Sequence, residues 1–309
     1  MVSLVFICGA LRSGTSLLHL MLNSHTRISN PGEFDFLFDY VKGINHEPDI
    51  SGYISYLEKN RIFKSKELQI NKECKSYISL VNTFLDQLSG PKTLCLNIHR
   101  NFDIAYHYFP DATFVHILRD PRDVAKSSIA MGWVGNTYYG VDHWLDTESS
   151  WDSLVSRAVK EQIFEFKYES LISNTHQVLA ELCDAMGLAY ENGMLSYHEK
   201  STYSPPDISL IEQWKRKQEP REIEWVEYKA GNLMSQRGYD LSSLNLKGPD
   251  AVERLKLWAA NKWQRYEYSI RRYGVFLVVV EKLMTLFPRF PGSEKYRARI
   301  QKIKTKHLK

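Results

Sequence analysis

Phe6-Ile7-Cys8-Gly9-Ala10-Leu11-Arg12-Ser13-Gly14-Thr15-Ser16-Leu17-Leu18 changes character in its middle. An apolar strand-like run stops at Gly9, and an apolar helix-like run starts after Gly14. The glycines let the backbone turn tightly, so successive N–H groups and the N-terminus of the following helix can face one anion. Ser13, Thr15 and Ser16 add hydroxyl donors, and Arg12 is the fixed cation of the loop. The stretch from Arg12 to Leu17 therefore reads as a phosphate cradle between a strand and a helix.

Working outward, apolar runs at 4–8, 93–96, 114–118 and 163–167 are each followed by polar or helical sequence. That alternation predicts a parallel sheet covered by helices on both faces, with ligands at the carboxyl ends of the strands. Arg12, the segment 97–99, Arg119 and Tyr168 all fall at such ends. Around Arg119 the sequence Leu118-Arg119-Asp120-Pro121-Arg122-Asp123-Val124 again runs from strand to helix, with Pro121 suited to a first helical turn. Arg119 and Ser127 are eight residues apart, close enough for both side chains to meet a second phosphate.

The spacing of the first loop approaches that of a P-loop, but Thr15-Ser16 stands where Lys-Ser/Thr is expected, so the cation for a nucleotide's terminal phosphates is missing. Taken together, the two elements resemble the donor-binding motifs of sulfotransferases that use 3'-phosphoadenosine 5'-phosphosulfate (PAPS). The resemblance implies that Arg12, Ser13, Gly14, Thr15, Ser16 and Leu17 hold the 5'-phosphosulfate, and that Arg119 and Ser127 hold the 3'-phosphate. It continues through Tyr168-Glu169-Ser170-Leu171, whose tyrosine would lie near the nucleotide. It extends to 199–202 and 213–217, similar to a late loop closing over the donor through Ser201 and Lys217, and on to about residue 240. Gly32-Glu33 is similar to the motif that supplies the base in the tyrosylprotein and bacterial branch. Cytosolic members carry Lys-x-His at a point where this chain has Asn97-Ile98-His99, so His99 is the rival base and the lysine is absent. The catalytic expectation is thus Glu33 or His99 with Arg12, and the acceptor a hydroxyl of a glycan, glycolipid, phenol or tyrosyl group. No metal is expected; the histidines show no metal spacing.

With 43% hydrophobic and 25% charged residues in 309, the composition is that of an ordinary globular chain. A net charge of +4 suits a polyanionic donor and argues against nucleic acid. Cys8, Cys74, Cys95 and Cys183 form no Cys-x-x-Cys pair and read as reduced thiols. No basic residue precedes the first apolar run, which sets the expectation of a cytoplasmic protein without leader or membrane anchor, peripheral at a membrane at most.

The aromatic-rich 34–92 reads as helices shaping the acceptor side, and the glycine- and aromatic-rich 131–151 as a loop at the site entrance. After Gly248-Pro249 the pattern becomes helical, dividing a donor-binding domain (1–247) from a basic, largely helical extension (248–309). Glu281 and Lys282 interrupt the apolar run 275–280 well before the roughly 20 residues needed to span a bilayer. Arg289, Lys295, Arg297, Arg299, Lys302, Lys304, Lys306 and Lys309, against Glu294, read as a solvated helix face, with contact to a membrane surface or partner as the other use. Two rival functions stay open: a P-loop nucleotide kinase, disfavoured by the absent lysine, and a donor-binding protein without catalysis. Oligomeric state is not encoded in any motif.

Overall fold

The computed structural model describes residues 3–243, 246–286, 296 and 303. At its centre β1 (Leu4–Cys8), β2 (Ile28–Ser29), β3 (Thr93–Ile98), β4 (Thr113–Leu118) and β5 (Ile163–Lys167) form one sheet in the order β2-β3-β1-β4-β5. Every pairing is parallel. β1 and β5 coincide with the expected runs, whereas β2 was not expected: two residues pairing with Thr93 and Leu94 are too short to leave a period. Because β3 and β4 flank β1, the chain crosses over β1 between them and leaves a crevice at its carboxyl end.

The sheet is buried on both faces, as a parallel sheet must be. Phe6, Cys8, Leu96, Ile98 and Phe114 point to one side, where they meet Phe34, Phe36, Phe38, Tyr53, Tyr77 and Phe84. Val5, Ile7, Cys95, Val115 and Ile117 point to the other, against Leu17, Leu18, Met21 and Leu22 of α1 (Thr15–Asn23) and the helix Thr175–Ala185. The aromatics Phe34, Phe36, Phe38 and Tyr53 are therefore core, at most 1% exposed, within the partly helical stretch expected over 34–92.

α2 (Pro121–Ala130) follows β4, with Asp120 capping it through the Arg122 N–H at 2.9 Å. The expectation of a loop over 131–151 is corrected. Only its beginning is irregular; Thr137–Gly140 is a helical turn and α3 (Asp142–Val155) continues it. Gly140 serves close packing, since a Cβ there would lie 2.6 Å from the Ala125 carbonyl oxygen of α2. Trp144 is fully buried and donates to the Arg119 carbonyl at 3.0 Å. α4 (Pro220–Gln236), kinked at Gly231, covers α2, and α5 (Ala251–Tyr273) and α6 (Val275–Leu286) follow it. The basic positions from Arg289 to Lys309, with Glu294, lie outside the described residues. No helix among the described residues is long and apolar enough to cross a membrane.

Candidate active site

The loop after β1 is held in an unusual backbone state. Arg12 has φ 76° and Gly14 φ 99°. A Cβ on Gly14 would lie 2.4 Å from the Tyr168 ring, and one on Gly9 would lie 2.7 Å from the Ile117 carbonyl oxygen, so the loop is pressed onto β4 and the end of β5. No side chain caps α1. Its first N–H groups thus have no side-chain acceptor, the arrangement that can receive an anion.

The turn after β4 closes against this loop. Arg119 donates from Nη1 to the Arg12 carbonyl at 2.9 Å, and its guanidinium stacks on Tyr168 at 4.2 Å. Arg12 in turn donates from Nε to Ser127 Oγ, also at 2.9 Å. Burial lowers the pKa of Arg12, and Arg119 adds to this. Asp123 accepts from the Trp214 N–H at 2.8 Å, its own pKa raised by burial. Beneath it Arg122, paired with Asp120 and Glu227 at 2.7 Å each, stacks on the Trp214 ring at 3.5 Å. Three buried donors here, Ser13 Oγ, Arg119 Nε and Trp214 Nε1, have no hydrogen-bond partner.

A cleft of about 600 Å³ opens between these elements. Of the residues expected from the sequence, Arg12, Gly14, Thr15, Ser16, Leu17, Arg119, Ser127, Tyr168 and Lys217 line it. Ser13 lies beside it, 1% exposed. Ser201 is not among the lining residues; its Oγ accepts from the Tyr203 N–H at 3.2 Å, while the following 202–206 form a wall. Lys126 and Asp123 also line the cleft and were not singled out, because nothing in their local sequence separates them from other charged positions of a helix. Arg12, Arg119 and Lys217 thus face Asp123, while Lys126 is paired with Glu222 at 2.8 Å.

Glu33 and His99 do not line this cleft; His99 reaches it only through Thr15, and Glu33 is joined to Asn97. Asn97 is 2% exposed and fully engaged: its Nδ2 donates to the Thr15 carbonyl at 3.3 Å, and its Oδ1 accepts from Asn30 Nδ2 at 3.0 Å. Glu33 forms an isolated parallel bridge with it. His99, 3% exposed, binds Asp35 Oδ2 through Nδ1 at 2.7 Å and approaches Thr15 Oγ1 through Nε2 at 3.4 Å. Burial opposes charge on His99, but Asp35 outweighs it and the pKa is raised. Lys66, which no motif marks, donates from Nζ to the Pro31 carbonyl and lies 5.1 Å from the Phe34 ring centroid. Its pKa is lowered by burial, with the charge of Glu33 opposing that shift. The ammonium therefore sits at the Gly32-Glu33 turn, reached from more than thirty residues away in sequence.

A wholly parallel sheet with helices on both faces and a cation-lined cleft at its carboxyl edge defines a doubly wound α/β protein of the sulfotransferase architecture. The chain belongs to the Sulfotransferase family, whose sequence pattern matches residues 4–192. An uncharacterized protein of Aquifex aeolicus (strain VF5) is 26% identical over 223 residues, covering 68% of this chain and 28% of that one. The chain thus spans just over a quarter of that relative's length. The sulfotransferase domain of the Synechococcus PCC 7002 olefin synthase superposes with a TM-score of 0.61 at 19% identity, over 77% of this chain and 95% of that one. The sulfotransferase domain from the curacin biosynthetic pathway gives 0.56 at 18%, over 78% and 99%. At these identities the likeness is one of fold.

Proposed function

We propose that this chain moves a sulfuryl group from PAPS to an acceptor hydroxyl. The observation that carries the reading is the meeting of Arg12, Arg119 and Ser127 in one cleft, with buried donors at Ser13, Arg119 and Trp214 left without partners. A buried donor without an acceptor is costly, and an anionic ligand relieves that cost. Arg12, Arg119 and Lys217 against Asp123, with Lys126 paired to Glu222, leave an excess of positive charge that fits a nucleotide with phosphates at both ends.

The α1 N-terminus with Ser13, Thr15 and Ser16 would hold the 5'-phosphosulfate, and Arg119 with Ser127 the 3'-phosphate. PAPS supplies the sulfuryl group: the acceptor oxygen–sulfur bond forms as the bridging sulfur–oxygen bond breaks. By analogy with phosphoryl transfer, the protein's part is positioning, charge neutralisation and removal of the acceptor proton. Glu33, half-buried and next to Lys66, would take that proton, while Arg12 and the loop amides steady the charge on the departing phosphate. We assign this work to residues 1–247 and treat 248–309 as an extension.

A second reading, donor binding without transfer, draws on Asn97, which is spent on structural hydrogen bonds where cytosolic relatives place a cation. Two measurements separate the readings. In a thermal-shift panel, 3',5'-adenosine bisphosphate should raise the midpoint while ATP and ADP do not. Sulfate release or transfer, screened over glycans, glycolipids, phenols and tyrosyl peptides, should then follow. Stabilisation by ATP alone would overturn the donor assignment, and bisphosphate binding without any turnover would favour the second reading.

A further inference from the structure

The helix α5 presents two faces in opposite directions. Its inner side is fixed to the irregular segment after α2: Leu257 is buried, its carbonyl accepts from Asn136 Nδ2 at 2.8 Å, and Asn261 Oδ1 accepts from the Gly135 N–H at 2.6 Å. The outer side repeats Val252, Leu255, Ala259 and Trp263 at helical spacing. Val252, Leu255 and Trp263 are 62%, 65% and 70% exposed; Val275 and Phe276, at the start of α6, are each 60% exposed, with the Phe276 ring edge-on to Tyr296 at 5.8 Å. Single exposed apolar residues are ordinary, but a row of them along one helix marks a contact surface.

The charges beside this row select the partner. Helix α5 carries Arg254, Lys256, Lys262, Arg265, Arg271 and Arg272 against only Glu253 and Glu267. Both acids are engaged, Glu253 by Arg221 at 2.6 Å and Glu267 by Arg271. Between α5, α6 and Gly132 of the segment after α2 lies a cleft of about 480 Å³ lined by Lys262, Arg265, Ser269 and Lys282, with Glu281 as its acid. Lys262 also lies 4.1 Å from the Trp258 ring, so its stem and the indole form one amphipathic unit.

We propose that the outer face of α5, with the start of α6, docks on an anionic membrane surface. Its apolar row enters the boundary between headgroups and acyl chains, and Lys262, Arg265 and Lys282 meet lipid phosphates. The proposal does not depend on the transfer reading. Its test is sedimentation of the full chain with phosphatidylcholine vesicles, with and without phosphatidylglycerol. Binding should require the anionic lipid and fall at least about tenfold between ~0.1 M and ~0.5 M salt. The double variants Leu255→Ser/Trp263→Ala and Lys262→Glu/Arg265→Glu should each weaken partition about tenfold, with the thermal midpoint unchanged. Absence of binding by the full chain overturns the proposal. So does undiminished binding of both variants, which would move the contact to the basic positions beyond 286. Concentration-dependent dimerisation that is lost in Leu255→Ser/Trp263→Ala, without vesicle binding, would make the face a contact between copies instead.

Discussion

Arg12 Nε donates to Ser127 Oγ at 2.9 Å, joining the loop after β1 to the second turn of α2. The bond couples the two ends of the proposed donor site, because Ser127 is the hydroxyl assigned to the 3'-phosphate and Arg12 the cation assigned to the 5' end. A ligand that accepts a hydrogen bond from the Ser127 hydroxyl leaves the oxygen's lone pairs free to keep accepting from Arg12, so the two contacts are compatible. Arg119 completes the ring through the Arg12 carbonyl.

Arg119 should discriminate nucleotides by their 3'-phosphate. A charge-assisted hydrogen bond contributes roughly 1.5–3 kcal/mol, so Arg119→Ala should weaken 3',5'-adenosine bisphosphate about tenfold or more while leaving 5'-AMP nearly unchanged. Calorimetric titration of both ligands checks this; equal losses would remove Arg119 from the 3' site.

Gly14 should tolerate no side chain. Its φ of 99° alone costs another residue about 1–2 kcal/mol, and the new methyl would push the Tyr168 ring that carries Arg119. Gly14→Ala should therefore lose stability in denaturant unfolding and lose bisphosphate affinity as well. Adding Tyr168→Ala restores space but not the backbone cost. An unchanged affinity in Gly14→Ala would mean that the loop does not hold the donor.

Much of this arrangement is contiguous in sequence and was legible for that reason. The run of β1 is apolar from end to end, β5 alternates Ile163, Phe164 and Phe166 with Glu165 and Lys167, and each proposed phosphate-binding loop is one unbroken segment. What the sequence hid is joined only by folding. Asp35 fixes His99 from 64 residues away, and Lys66 reaches Pro31 across 35. Gly140 misled because glycine serves both loops and close helix contacts, and only the position of Ala125 decides between them. The aromatics of 34–53 carry the same ambiguity, since a ring suited to a ligand is equally suited to a core, and here they pack in the core.

A buried histidine outside the cleft should govern stability at alkaline pH. His116 on β4 is fully buried, stacks on Trp151 and contacts Glu165 at 2.6 Å and Glu148 at 3.2 Å. Burial opposes its charge, but Glu148 and Glu165 prevail and raise its pKa from 6.5 to about 9. A raised folded pKa stabilises fully below the unfolded value, and the contribution is lost as pH climbs through the folded one. That difference corresponds to about 3 kcal/mol. The thermal midpoint should fall between about pH 6.5 and pH 9, and His116→Gln should flatten the fall while lowering the midpoint near neutrality. A profile of the same slope in the variant would detach the pH dependence from His116.

Glu33, rather than His99, should be the principal base. His99 is 3% exposed and committed to Asp35, whose carboxyl it helps hold below its usual range against burial. It therefore reads as a positioning group for Thr15 and the loop. Glu33 is only partly buried, which leaves it approachable by an acceptor hydroxyl, and it lies near the Lys66 ammonium. Glu33→Gln keeps size and hydrogen bonding but removes the base, so turnover should fall roughly 10²–10⁴-fold with bisphosphate affinity preserved. His99→Asn should chiefly lower the thermal midpoint, because Asp35 is left as a buried charge without its main partner, and should cost less in kcat at saturating acceptor. Near-normal turnover in Glu33→Gln, together with its abolition in a folded His99→Asn protein, would transfer the role to the histidine.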